Sequence, residues 1–111
     1  MKKTSTINTL KAIKVEGFKI NLIDVENEYS ALQNAVDGKP ETIKLRDGGI
    51  MLCDRDALPK DKPYNNIASL IAGTSVYGAA IILGYNGMEY DDVPQPFITL
   101  LYFDGKRDDA K

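Results

Sequence analysis

Histidine and tryptophan are both absent from this chain, and cysteine occurs once, at Cys53. The missing histidine removes the commonest general base and metal ligand, and with it every Ser–His or Cys–His nucleophile pair. One cysteine without histidine falls short of the ligands a zinc site needs and excludes an internal disulfide. A dominant charge sign is lacking too: 14 basic against 16 acidic side chains leave a net charge of −2. General nucleic-acid binding relies on a clustered positive surface that releases counterions, so it is disfavoured. The one basic concentration, Lys2, Lys3, Lys11, Lys14 and Lys19, reads as a solvated strand face. Two opening lysines are followed by no apolar stretch of the kind a signal peptide carries, and the cysteine is solitary. Both features predict a cytoplasmic protein.

What is present is a long uncharged run. From Ile67 to Gly84 there is no charge, in a chain that is 27% charged. The run reaches the length of about 18 residues at which a membrane span is considered. It also holds three glycines, two serines, a threonine and a tyrosine, with no lysine or arginine cluster immediately beside it. The run therefore predicts a buried core segment and no membrane span.

A length of 111 residues predicts one domain. Residues 1–9 read as a flexible polar N-terminus, 10–104 as a single α+β domain, and 105–111 as a polar tail. Apolar and polar residues alternate from Ala12 to Glu16 and again from Phe18 to Ile23, the period of half-buried strands. Glu16-Gly17 between them suggests a hairpin turn, with one long bulged strand as the alternative. The segment 27–37 predicts a short helix: Asn27 can cap it, Tyr29, Leu32 and Val36 share one face, and Gly38 and Pro40 end it. ETIKLRDGGIMLCDRD reads as a β-hairpin with Asp47-Gly48-Gly49 at its tip, and residues 54–66 as an exposed loop.

Gly73, Gly78 and Gly84 argue against one continuous helix across the uncharged run. IASLIAG reads either as a short helix or as the start of a strand, and VYGAAIILG as a central strand. Tyr85-Asn86-Gly87-Met88 predicts a tight hairpin turn, and FITLLYF a last strand. Because FITLLYF is apolar on both faces, it must be central, covered, or paired across the interface of a homodimer. The expected fold is a mainly antiparallel sheet of five or six strands with one short helix on a face. Its core should include Ile13, Ile20, Leu22, Leu32, Val36, Ile43, Leu45, Met51, Cys53, Ile71, Val76, Ile81, Leu83, Ile98 and Leu100.

Chemistry is sparse. Asp54, Asp56 and Asp61 in one loop have the chemistry of hard-cation ligands, which is the basis for a small metal- and carboxylate-dependent enzyme as one reading. Against it, Arg55 sits among them, and the twelfth position counted from Asp54 is Asn65 and not a glutamate; a solvated, self-neutralising loop is favoured. Gly73-Thr74-Ser75-Val76-Tyr77-Gly78 has the glycine spacing of a phosphate-binding loop, but Ala79 and Ala80 replace the lysine and hydroxyl that complete it. Gly73, Thr74 and Ser75 remain the best ligand-binding candidates, with amides and hydroxyls suited to an anion. Arg55, Lys60 and Lys62 would supply charge and Tyr64 a contact face; the alternatives are a chain bend and an Arg55 paired with Asp54 or Asp56. Cys53, in an apolar strand with no imidazole partner, reads as core. No cofactor is expected.

The order of segments also resembles a small uncharacterised domain family of phages, prophages and conjugative elements in Gram-positive and gut bacteria. The resemblance is carried by the helix EYSALQNAVDG, the arm PETIKL, GIMLCDRDALPKDKPYN and IAGT followed by an apolar strand, over roughly Lys19 to Gly84. Lys39-Pro40 stands where the family has a tyrosine after the helix-terminal glycine, and the loop before IAGT is short. The resemblance implies a genomic setting and a fold, and transfers no catalytic residue. The function expected is a non-enzymatic binding protein, plausible as a counter-defence factor against a host protein or a small anionic, nucleotide-like ligand. The alternative is a structural or oligomerising subunit.

Overall fold

The computed structural model describes residues 9–103. The expected polar N-terminus and C-terminal tail lie outside these residues, apart from Thr9, which already belongs to the first strand. The two alternating runs form β1 (Thr9–Glu16) and β2 (Lys19–Glu26), paired without interruption from Thr9 opposite Glu26 to Glu16 opposite Lys19. Gly17, at φ +64°, makes the turn between them, so the hairpin reading holds over the bulged strand.

The helix α1 (Tyr29–Val36) buries Leu32 and Val36 as expected, while Tyr29 faces solvent. The left-handed residue that ends it is Asp37 (φ 55°) and not Gly38; the N–H groups of Asp37 and Gly38 donate to the Asn34 and Gln33 carbonyls. β3 (Pro40–Lys44) and β4 (Gly49–Asp54) follow, joined through Asp47 and Gly48, both at positive φ. IASLIAG resolves as a helix, α2 (Asn66–Ala72), capped by the Asn65 side chain and closed by Gly73 at φ +74°. β5 (Ala80–Tyr85) and the short β6 (Tyr90–Asp91) complete the strands.

All pairings are antiparallel, in the order β2-β1-β5-β4-β3, with β6 pairing the end of β5. The domain is therefore α+β with a six-stranded sheet. Both sheet faces are covered, which one short helix could not do. Ala12, Ile50, Leu52, Ile81 and Leu83 lie under α1, with Leu32 and Val36 against them. Ile13, Val15, Met51, Cys53, Ala80 and Ile82 form the opposite face, with Ala68 of α2. Burial on both sides explains why β4 and β5 are apolar at nearly every position.

FITLLYF is not a strand. A helical turn, α3 (Gln95–Phe97), continues as a π-helical segment, Ile98–Phe103. Pro96 in its first turn favours a helix start, since its missing N–H would have no intrahelical partner there. Burial is one-sided: Phe97 is buried, Ile98 and Leu101 half-buried, and Leu100 exposed, which removes Leu100 from the expected core. The segment supplies the cover that this sheet face needs. Phe97 lies so close to Gly49 that a Cβ there would sit 2.6 Å from the ring. Ile20, Leu22, Ile43, Leu45 and Ile71 are half-buried around the same cluster. Among the described residues no helix is long and apolar enough to cross a membrane.

Candidate functional site

Asn65 and Ser69 organise the region that carries the expected ligand residues. Asn65 is buried at the entry to α2, where its Oδ1 accepts from the Ala68 N–H at 3.1 Å. Its Nδ2 donates to the Val15 carbonyl at 2.9 Å and the Gly78 carbonyl at 2.8 Å, tying helix, sheet and loop together. Ser69, one turn along, accepts from the Val76 N–H at 2.8 Å and donates to the Val76 carbonyl at 3.2 Å. Tyr64 forms an isolated β-bridge with Tyr77, and their rings meet edge-on with centroids 5.4 Å apart. The result is a cleft of about 350 Å³ lined by Tyr64, Asn66, Ser69, Leu70, Gly73, Thr74 and Ser75.

Four of the five expected ligand residues, Tyr64, Gly73, Thr74 and Ser75, thus share one cleft. Arg55 does not line it. Its backbone N–H donates to the Lys39 carbonyl beyond the end of α1, and its side chain is exposed with no ion-pair partner among the described residues. The expected pairing of Arg55 with Asp54 or Asp56 is therefore not the arrangement formed. Asn66, Ser69 and Leu70 were not singled out from sequence. Once the segment is a helix, Asn66, Ser69, Leu70 and Gly73 fall at i, i+3, i+4 and i+7 and share a face. The cleft runs along α2 from its first residue, Asn66, to the Gly73 cap, and no charged side chain lines it. That lining favours a neutral occupant over an anion.

The lysines expected to furnish positive charge are engaged elsewhere. Asp54 ends β4 with no accessible side-chain surface, and Lys60 and Lys62 each place an ammonium 2.8 Å from its Oδ2. Its Oδ1 accepts from the backbone N–H of Lys39 at 3.2 Å and of Asp56 at 3.0 Å. Burial works against ionisation, but these donors outweigh it and hold the carboxyl well below the usual carboxylate range. The same hydrogen bond pushes the Lys60 ammonium up. Lys62, only 14% exposed, also donates to the Val36 and Asp37 carbonyls at the end of α1. The loop at 54–66 thus neutralises its own charge as expected, but it is not wholly exposed, because Asp54, Ala57 and Asn65 are buried.

Two glycines leave room for this clasp. At Gly38 a Cβ would collide with the Asp54 carboxyl group. At Gly78, which also has φ +78°, it would come 2.8 Å from Lys62 Cδ. The phosphate-loop glycine spacing therefore arises from a helix terminator at Gly73 and space for a lysine stem at Gly78. Among the described residues no group of three or more potential ligands could hold a metal ion. Cys53 is buried, and desolvation with the nearby Glu41 and Asp54 charges pushes its thiol up to about 11.

A second concavity adjoins the cleft through Leu70. It is an apolar groove of about 1000 Å³ between α2, the C-terminal helical segment and the β3–β4 turn, with Arg46 and Asp47 at its rim.

Fold and site together define an antiparallel-sheet domain with an apolar groove and a smaller cleft beside α2. The chain belongs to the family described as "Domain of unknown function (DUF3846)", which matches residues 10–104. No curated protein and no solved structure matches the chain.

Proposed function

We propose that this protein is a non-enzymatic binding factor of a phage or other mobile element, acting in counter-defence by occupying a host protein. The supporting observation is the groove on the α2 face, with apolar walls from Ile67, Leu70, Ile71, Phe97, Leu100 and Leu101. Leu70 is 84% exposed beside it and Leu100 59%. Exposed apolar side chains around a concave surface mark a contact site more often than a stable free surface. The occupant is an amphipathic helix of the partner: apolar residues at i, i+3 or i+4, and i+7 suit a groove of this lining. Arg46 and Asp47 at the rim pair with each other at 3.4 Å, so the groove presents no net charge that would select an anion. The mobile-element setting rests on the family resemblance.

A photo-crosslinking residue at position 70, with position 58 in the distant loop as control, tests this in host cells. The expected result is a host-protein adduct from position 70, none from position 58, and loss of the adduct when Leu100→Asp is added. Equal adducts from both positions would sink the proposal. Adducts joining two copies of the chain, with a dimer in light scattering, would instead favour the oligomerising-subunit reading, which the same exposed leucines support.

A further inference from the structure

We infer that the cleft between Tyr64 and the Gly73-Thr74-Ser75 turn binds an uncharged, nucleoside-sized heterocycle. The inference uses the cleft, which shares only Leu70 with the apolar groove, and its test does not require a host protein in the latter.

Three observations lead there. First, the walls are preorganised. The Tyr64 ring is fixed by its bridge and edge contact with Tyr77, and the 73–78 turn is held to α2 by the paired Ser69–Val76 hydrogen bonds. Asn65 holds the helix start against β1 and Gly78. A site fixed in advance loses little conformational freedom on binding.

Second, polar groups border the cleft with their hydrogen-bonding capacity open to a ligand. The exposed side chains of Asn66, Thr74, Ser75 and Tyr64 make no hydrogen bond to the described residues, in contrast to the buried Asn65 and Ser69 beside them. They offer an amide and three hydroxyls, each able to donate and accept. That mixed set matches the edge of a heterocycle, which alternates donors and acceptors, better than a phosphate, which only accepts. An aromatic face from Tyr64 and an aliphatic one from Leu70 supply apolar contact for a flat ring, the combination with which proteins hold unstacked bases.

Third, size and charge agree. A volume of about 350 Å³ lies at the small end of the roughly 300–1,000 Å³ range of ligand sites, enough for one nucleoside. The lack of any lining cation leaves an attached phosphate without a charge partner. Lys60 and Lys62 cannot supply that partner while they hold Asp54.

The test is titration of ¹⁵N-labelled full-length protein into the millimolar range with adenosine, cytidine, AMP and N-acetylglucosamine. At least one nucleoside should shift the backbone amides of Gly73, Thr74 and Ser75, and bind more tightly than AMP. Tyr64→Ala should weaken binding by about tenfold or more, as loss of a stacking face does, while Tyr64→Phe retains most of it. Thr74→Val should weaken binding several-fold with an unchanged melting temperature, which separates a lost contact from lost structure. Four outcomes would overturn the inference: no shift at these amides with any nucleoside, tighter binding of AMP, preference for the sugar, or unchanged affinity in Tyr64→Ala.

Discussion

Replacing Asp54 by asparagine is the most direct probe of how this fold is held at the end where α1, β4 and the 54–66 loop meet. The substitution keeps the shape and removes the charge. Asp54 accepts from two lysines and two backbone N–H groups, so asparagine leaves Lys62, 14% exposed, facing a neutral amide with one oxygen replaced by an NH₂ donor. Breaking one side of a buried pair costs about 3–5 kcal/mol. The carboxylate is shallow, roofed mainly by lysine side chains, so the low end applies: about 3 kcal/mol. For a domain of this size that is a melting temperature lower by roughly 15 °C. The pH dependence has a definite sign. The folded-state pKa of Asp54 is depressed, so its contribution is complete above the unfolded value of about 3.9 and is lost as pH falls below that. Wild type should therefore lose stability steeply in acid, and Asp54→Asn less steeply. Calorimetry or circular-dichroism melts from neutral pH to pH 3 read both quantities. A variant melting within a few degrees of wild type, with the same acid profile, would refute the clasp. In Asp54→Asn/Lys62→Met, where the stranded ammonium is gone, part of the lost stability should return; a strictly additive double variant would show that the two groups do not interact.

Asn65→Ala should cost about 3 kcal/mol in urea unfolding, since it strips partners from the Val15 and Gly78 carbonyls and the Ala68 N–H. Asn65→Asp keeps the acceptor for Ala68 but replaces the donor with a carboxylate oxygen facing two carbonyls, and should be no better tolerated at neutral pH; wild-type stability would show the amide to be oriented otherwise. Cys53, with its thiol pushed up to about 11, is ionised in roughly one molecule in a thousand at pH 8. It should resist dithionitrobenzoate in the folded protein and react promptly in guanidinium; rapid labelling of the native state would contradict its burial. Phe97→Ala should cost about 3–4 kcal/mol and increase amide exchange along the C-terminal helical segment, because the ring over Gly49 anchors that cover to the sheet. Unaltered exchange there would mean the segment is held by something else.

Local pattern alone determined much of this molecule. The alternation on either side of Gly17 specified the β1–β2 hairpin, because side chains on a strand alternate faces whatever their neighbours. Leu32 and Val36 marked the inner stripe of α1, and the continuous apolarity of Ile50–Cys53 and Ala80–Leu83 marked strands buried on both sides. Gly73, Thr74 and Ser75 could also be gathered from the sequence, because a glycine-bounded turn with free hydroxyls has a local signature, and Tyr64 because a tyrosine in a loop stands out as a contact face. Local pattern did not decide the state of FITLLYF, which is apolar in either a strand or a helical period; the uncovered face over Met51, Cys53 and Ile82 decided it. Nor could it separate Arg55 from the cleft or assign Lys60 and Lys62 to Asp54. Those assignments depend on where α1 ends relative to β4, and on the space left by Gly38 and Gly78. Electrostatic partners across a loop are fixed by distance in space, and in this chain only the packed sheet and its two covered faces set that distance.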